Sequence, residues 1–277
     1  MTFLYKHFCI TYILKYSKIY KYICITNNMV EMTPELAEAC GIHAGDGYLR
    51  NKGHHVELDI SGNYEEQSYY DSHVIPLFEK LFNISIKGRK FISRRTYGFV
   101  IRDKRIIEFF HSLGFPYGAK SAIVKTPVSI MNSNDKKIYA SFIRGLLDTD
   151  GSICFRKNYG SYRPFKVNHH HYPHVILNTI SLDLALDIKR ILNNLDIKFY
   201  FNAYDSKKLN EKTCYRLYIN GVDRTTKLME IVGSKNPVKL SRYLVWKRCG
   251  FCPIHTTLKQ REEILKGNLD VHSLKTP

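Results

Sequence analysis

Two nine-residue stretches, about a hundred residues apart, repeat one pattern. The first is Ala39-Cys40-Gly41-Ile42-His43-Ala44-Gly45-Asp46-Gly47. The second is Ile143-Arg144-Gly145-Leu146-Leu147-Asp148-Thr149-Asp150-Gly151. Each has Gly third, an apolar residue fourth, an acid eighth and a closing Gly. Each follows a helix-like stretch and leads into a strand-like one, Gly47-Tyr48-Leu49 and Gly151-Ser152-Ile153. Such a repeat constrains the chain to two related halves. One carboxylate per copy predicts a site shared between them, because two acids brought together hold divalent metal.

Read as helix ends, the motifs explain their own residues. Gly41 and Gly45 are four apart and share a helical face, so a second helix backbone can come very close. Gly145 and Thr149 supply a similar small face in the second copy. The Gly after each acid predicts a left-handed helix end. Asp46 and Asp150 would then sit at the C-terminal ends of two packed helices, where like charge and the helix dipoles disfavour them. A bound cation relieves that frustration.

The downstream pattern repeats too. His55-Val56-Glu57-Leu58-Asp59-Ile60-Ser61 alternates as a strand with one buried and one wet face. His174 to Ser181 is its counterpart, one residue longer and poorly alternating. Helical periods follow: Val74, Leu77, Phe78 and Leu81, then Leu184, Ile188, Ile191, Leu192 and Leu195. Pro76 is expected to start or kink the first. A further strand and helix complete each half, Tyr97 to Arg102 then Ile106 to Leu113, and Tyr215 to Ile219 then Thr225 to Val232. Each half closes on Gly-x-Lys, at Gly118-Ala119-Lys120 and Gly233-Ser234-Lys235.

From about Pro34 to Arg248 the chain resembles the LAGLIDADG homing endonucleases in their single-chain, two-motif form. The second motif is close to the family pattern. The first is looser, with His43 and Ala44 where an apolar residue and an acid are usual. The resemblance implies an α+β fold of two pseudo-symmetric αββαββα halves, each with a four-stranded antiparallel sheet, joined through the motif helices at Gly41, Gly45 and Gly145. It implies a metal-dependent, site-specific double-strand DNA endonuclease, intron-encoded, working as a monomer on a long duplex site. Asp46 and Asp150 would hold Mg2+, with Mn2+ as a substitute, helped by the carbonyls of Gly45 and Thr149. Lys120 and Lys235 would assist at the scissile phosphates, with Lys125 a rival to the first. A Gln or Lys is usual at the end of the second strand. Here Ser61-Gly62 and Ile180-Ser181 take those places, leaving the role unfilled or taken by other residues.

Charge agrees with a nucleic-acid partner. The net charge is +17 and the pI about 9.5, the footprint of a nucleic-acid binder. Charge alone does not separate DNA from RNA or an acidic membrane, but placement adds information. Arg50, Lys52 and His54 lie at the first hairpin, Arg94 and Arg95 before a later strand, and Arg156, Lys157, Arg163 and Lys166 at the matching hairpin of the second half. Basic residues at such tips suit a β-ribbon entering a major groove.

Other segments are less informative. Residues 1–30 belong to no repeat and read as an extension of the reading frame, with Met29 or Met32 as the working start. The halves are expected at 31–131 and 138–249, a linker at 132–137, and a tail at 250–277 with a helix from Lys259 to Lys266. No apolar run is long enough to span a membrane, and scattered cysteines suit an intracellular setting. Cys249-Gly250-Phe251-Cys252 with His255 has no second Cys pair to complete a zinc site and reads as structural. His169-His170-His171 reads as a DNA-facing or solvated loop. An RNA maturase binding intron RNA on the same scaffold, and a DNA-binding protein without catalysis, are the competing functions. Retention of both acids weighs against the latter. An intein is disfavoured, because the chain lacks a nucleophilic first residue and a terminal Asn.

Overall fold

The structure, a computed structural model, describes residues 31–157, 170–205 and 211–274. Two helices run through its centre, α1 (Pro34–Asp46) and α6 (Lys136–Thr149). Side-chain oxygens open both: Thr33 accepts from the Leu36 N–H before α1, and Asp135 from the Lys137 N–H before α6. The cap at Asp135 shortens the expected linker. Lys136 and Lys137 already form the first helical turn, and only residues 132–135 connect α5 (Val128–Met131) to α6.

The glycines bring these helices together reciprocally. A Cβ on Gly41 would collide with the Phe142 carbonyl oxygen, and one on Gly145 with the Glu38 carbonyl oxygen. Gly45 faces the Thr149 side chain. Each helix therefore presents its backbone to the other at equivalent places, as the repeat requires. The motif-closing glycines act differently from the sequence expectation. Gly47 is extended, at φ −85°, and Gly151 is not in the left-handed region either. They are small because a Cβ would strike the His43 ring at one and Leu147 at the other.

After α1 come β1 (Gly47–Lys52) and β2 (His55–Asn63), a 3-10 turn at Tyr64–Glu66, the one-turn α2 (Gln67–Tyr69) and α3 (Ile75–Phe82). Pro76 starts α3; the turn before it, Tyr70–Val74, is widened to π spacing. A proline lacks the N–H that would continue an α-helical ladder there. Then follow β3 (Arg89–Phe91), β4 (Thr96–Ile101) and α4 (Lys104–Ser112). The second half repeats the order: β5 (Ser152–Arg156), β6 (Tyr172–Thr179), α7 (Leu182–Asn194), β7 (Tyr200–Tyr204), β8 (Cys214–Asn220) and α8 (Val222–Ile231). Two helices close it, α9 (Pro237–Cys249) and α10 (Leu258–Lys266).

The sheets are antiparallel and matched, β1-β2-β4-β3 and β5-β6-β8-β7. Leu58, Ile60, Phe99 and Ile101 bury one face of the first against its helices, as do Val175, Leu177, Leu217 and Ile219 in the second. Register settles the uncertain strand. Gly47 pairs with Ile60, and Ser152 with Ile176, so Ile60 corresponds to Leu177 and Ser61 to Asn178. The two strand ends are thus two residues out of step with the equivalence of Ser61-Gly62 to Ile180-Ser181. The wet face of β2 is also drier than alternation implied: Asp59 is buried, because Arg94 and Ser61 cover it.

The tail packs on the second half. Trp246 Nε1 donates to the His171 carbonyl at 2.6 Å, and the Cys252 N–H to that of His170 at 3.2 Å. Arg261 is fully buried and donates to the Ser241 hydroxyl and the Val238 carbonyl. His169 lies outside the described residues. Among these, no helix is long and apolar enough to cross a membrane.

Candidate active site

The C-terminal ends of α1 and α6 place Asp46 and Asp150 side by side. Their proximity is measured at Gly45, where a Cβ would lie 3.4 Å from the Asp150 carboxyl carbon. Burial raises Asp46 to about 7, with the charges of Asp150 and Glu66 adding to the rise and a Tyr70 hydrogen bond opposing it. Asp150 is also pushed up by its low-dielectric surroundings, against the pull of Lys120 and Lys239.

Lys120 arrives as expected. Its ammonium donates to the carbonyls of Ala44 at 2.8 Å and Gly45 at 2.6 Å, so it caps the end of α1. Lys125 is exposed and lies near Asp187 of α7 instead. The second lysine is not the one that spacing picked. Lys235 is exposed, and its backbone N–H, not its ammonium, engages the motif, donating to Asp148 Oδ2 at 2.7 Å. Lys239 occupies the position equivalent to Lys120. Its ammonium donates to the carbonyls of Leu147 at 2.9 Å and Thr149 at 2.5 Å. The sequence held the signal for this shift. Asn236 caps α9 and Pro237 is its first residue, a helix-start pair that ends the loop after Lys235 and turns Lys239 inward. Burial lowers the pKa of both Lys120 and Lys239.

Asp148, the motif acid that the first copy lacks, is structural. It accepts from the Ser234 hydroxyl at 2.5 Å and the Lys235 N–H, and burial raises it to about 6. It thereby fixes the loop that delivers Lys239. In the first copy His43 replaces the corresponding apolar Leu147. It is fully buried against Phe110 and Phe115, and burial keeps it neutral.

The surroundings of the two acids differ. Asp46 accepts from the Tyr70 hydroxyl at 2.6 Å. Glu66 stands beside it, accepting from Asn236 Nδ2 at 2.7 Å and lying 4.0 Å from Lys239. Asp150 instead opens on a cleft lined by Lys120, Asn178 and Thr179. Glu66 lies beside the end of β2, where a Cβ on Gly62 would fall 3.0 Å from its carboxylate, and Asn178 is the counterpart of Ser61. Neither Glu66, Tyr70, Asn178, Asn236 nor Lys239 was singled out by sequence; they converge only through register and turn geometry.

The donors suit a hard divalent cation. The two carboxylates are hard oxygen ligands, whereas the carbonyls of Gly45 and Thr149 already accept from the ammoniums of Lys120 and Lys239. Among the described residues no group of three or more His, Cys, Asp or Glu side chains is arranged for metal.

The basic tips are accessible. Arg50, Lys52 and His54 on the β1–β2 hairpin, Arg94 and Arg95 on the β3–β4 turn, and Arg156 on β5 are exposed, and Lys157 is half-buried. Arg163 and Lys166 lie outside the described residues. Arginines in the sheets extend the set. Arg89 lies 4.7 Å over the Phe91 ring, and Arg216 4.6 Å over Tyr204.

Residues 137–233 match the model of the LAGLIDADG-like domain family. Among solved structures, variants of the homing endonuclease I-DmoI share 19% identity over 74% of this chain and 98% of that one, with a TM-score of 0.49. I-DmoI in complex with DNA and Mn shares 16%, over 72% of this chain and 96% of that one, also at 0.49. The N-terminal LAGLIDADG domain of DUF199/WhiA shares 15%, over 74% and 85%, at 0.45. No curated protein matches the sequence.

Proposed function

We propose that this chain, which carries a LAGLIDADG-like domain in its second half and the same strand and helix order in its first, is a divalent-metal-dependent endonuclease. Its substrate would be a long, specific duplex DNA site, cut in both strands by one monomer. Homing of an intron is the setting in which such cleavage operates. The observation that carries this reading is the pairing of Asp46 with Asp150 at two abutting helix ends, each end capped by a lysine ammonium.

Asp46 and Asp150 would hold the cation, Mg2+ or Mn2+; the carbonyls of Gly45 and Thr149, which already accept from Lys120 and Lys239, would have only their second lone pair to add. When bound, it would polarise the scissile phosphates and lower the pKa of an attacking water. The chain's own residues supply the rest. Lys120 and Lys239 keep positive charge where negative charge develops on phosphate, an interaction that strengthens in the transition state. Tyr70 and Asn236 orient Asp46 and Glu66. The open sheet faces and the basic tips hold the DNA, their phosphate contacts giving most of the affinity.

The test is cleavage of the uninterrupted host-gene DNA with magnesium, comparing the wild type with Asp150→Asn. Linear product from the wild type alone, with binding kept by the variant, is expected. Specific binding without any cleavage by the wild type would make the chain a binding protein.

A further inference from the structure

The open face of the first sheet carries two acids, Glu57 and Asp59, on a surface that the proposed function turns toward phosphates. Isolated carboxylates there would oppose binding. Both are matched to arginines, but unequally. Glu57 meets Arg50 at 3.3 Å near the hairpin tip. Asp59 holds Arg94 at 2.8 Å, with the Asp59 side chain only 11% exposed and that of Arg94 46% exposed.

Arg94 is fixed on two further sides. Its guanidinium carbon lies 4.2 Å over the Phe91 ring, whose other partner is Arg89 at 4.7 Å. The 3-10 turn Ile92–Arg94 that presents it ends in a left-handed residue, Arg95 at φ 53°. Asp59 is itself oriented by the Ser61 hydroxyl at 3.1 Å. The nearest approach of the pair is Arg94 Nη1 to Asp59 Oδ2, and a guanidinium has five N–H donors, more than one carboxylate can take. A planar fork held in one orientation is what bidentate recognition of guanine O6 and N7 requires, whereas a phosphate clamp needs only charge. Among the described residues the second sheet has no such ion pair. Arg216 lies between Asn178 and Asn202 on the neighbouring strands, without a carboxylate.

We infer that Arg94 reads a guanine through its Asp59-held fork, with Asp59 as its positioning residue. The register also places this contact. Asp59 pairs with Tyr48, two residues beyond Asp46, whereas Lys52 and His55 pair at the outer end of β1. At about 3.3 Å per residue along the strand, the guanine lies in the inner part of that half-site, close to the cleaved phosphates. The inference rests on the DNA-binding reading of this face.

The experiment is selection of bound duplexes from a randomised double-stranded library, in EDTA, by the full chain and two variants. Arg94→Lys keeps the charge and loses the fork. Asp59→Asn keeps the shape and removes the negative charge that holds it. The wild type should enrich one target with a fixed inner guanine. Each variant should relax that position by roughly 5- to 150-fold in relative affinity while the other positions stay fixed. Retained fixation elsewhere in the target shows that the variants fold. If both variants still require the guanine, the inference is wrong. If Arg94→Lys weakens binding equally at every sequence, Arg94 is a phosphate clamp and the inference is again wrong. Failure of the wild type to enrich any sequence would overturn the DNA-binding reading itself.

Discussion

Replacing Lys239 by Met, in parallel with Lys235→Met, separates spatial from sequence equivalence. Lys239 donates at 2.9 Å and 2.5 Å to two carbonyls at the end of α6 and lies 4.0 Å from Glu66. Hydrogen bonds from a charged group contribute about 1.5–3 kcal/mol each. Relief of the desolvation that lowers the Lys239 pKa offsets part of that, leaving a net loss of about 1–3 kcal/mol. The effect on rate is larger. Removing one preorganised charge from a reacting centre costs about 10²–10³-fold. Lys239 acts on both acids, more on Asp46 than on Asp150, and Lys120 stays in place beside Asp150. Single-turnover cleavage of a supercoiled plasmid bearing the target should therefore accumulate nicked circles, with linear product slowed by about 10²-fold. Lys235→Met, an exposed side chain, should stay within about twofold, as surface changes do. If Lys235→Met slows cleavage and Lys239→Met does not, the geometric assignment fails.

Other outcomes follow from the same geometry. Glu38 is buried between His73 at 2.6 Å and Arg144 at 2.6 Å; burial raises its pKa, but these two bonds outweigh that and hold it below the ordinary value of 4.5. Its stabilisation is therefore present above that pH and lost as pH falls through the lower folded value. Glu38→Ala should cost about 3–5 kcal/mol at neutral pH, read by urea unfolding, and should flatten the acid limb of stability. Gly145→Ala should cost about 1–3 kcal/mol, because the new Cβ meets the backbone of Glu38 and Ile42; an unchanged urea midpoint would contradict the helix contact. Asp46, at about 7, must lose its proton to bind metal, so the magnesium needed for half-maximal cleavage should rise about tenfold from pH 8 to pH 6. A pH-independent requirement would remove Asp46 from the metal site.

Much of the frame is written locally. The glycine spacing in α1 and α6, the alternation in β2 and the caps at Thr33 and Asp135 each act within a few residues, and the corresponding elements form where that local chemistry places them. Misreadings arise where a neighbour in space decides. Gly47 looks like a left-handed cap, but its smallness answers to the His43 ring. Asp59 looks solvent-facing until Arg94 folds back over it from the β3–β4 turn. The pairing of Ser61 with Asn178 depends on hydrogen-bond register, which the weakly alternating strand β6 does not encode in its burial pattern. Lys235 matches Lys120 in spacing, yet the first lysine stands in a turn and the second active position stands on a helix.

That last difference bears on how the two halves depend on each other. Lys120 belongs to the first half and caps α1, but Asp150 is the acid whose charge it feels most. Lys239 belongs to the second half and caps α6, yet Glu66 of the first half is the acid it feels most, ahead of Asp148 of its own, and Asp46 precedes Asp150. Asn236 repeats the crossing, donating both to Asp148 O of its own motif and to Glu66 across the interface. Each acid thus feels a lysine of the opposite half, Asp150 that of Lys120 and Asp46 that of Lys239, while Tyr70 supports Asp46 from its own half. A half taken alone would retain its carboxylate, together with the dipole of its own helix end, but would lose the cross-half ammonium that tempers them. The same crossing ties catalysis to packing. Any change that slides α1 against α6 moves both lysines away from their acids together, so the glycine contacts at Gly41 and Gly145 set the electrostatics of the site as well as the stability of the interface.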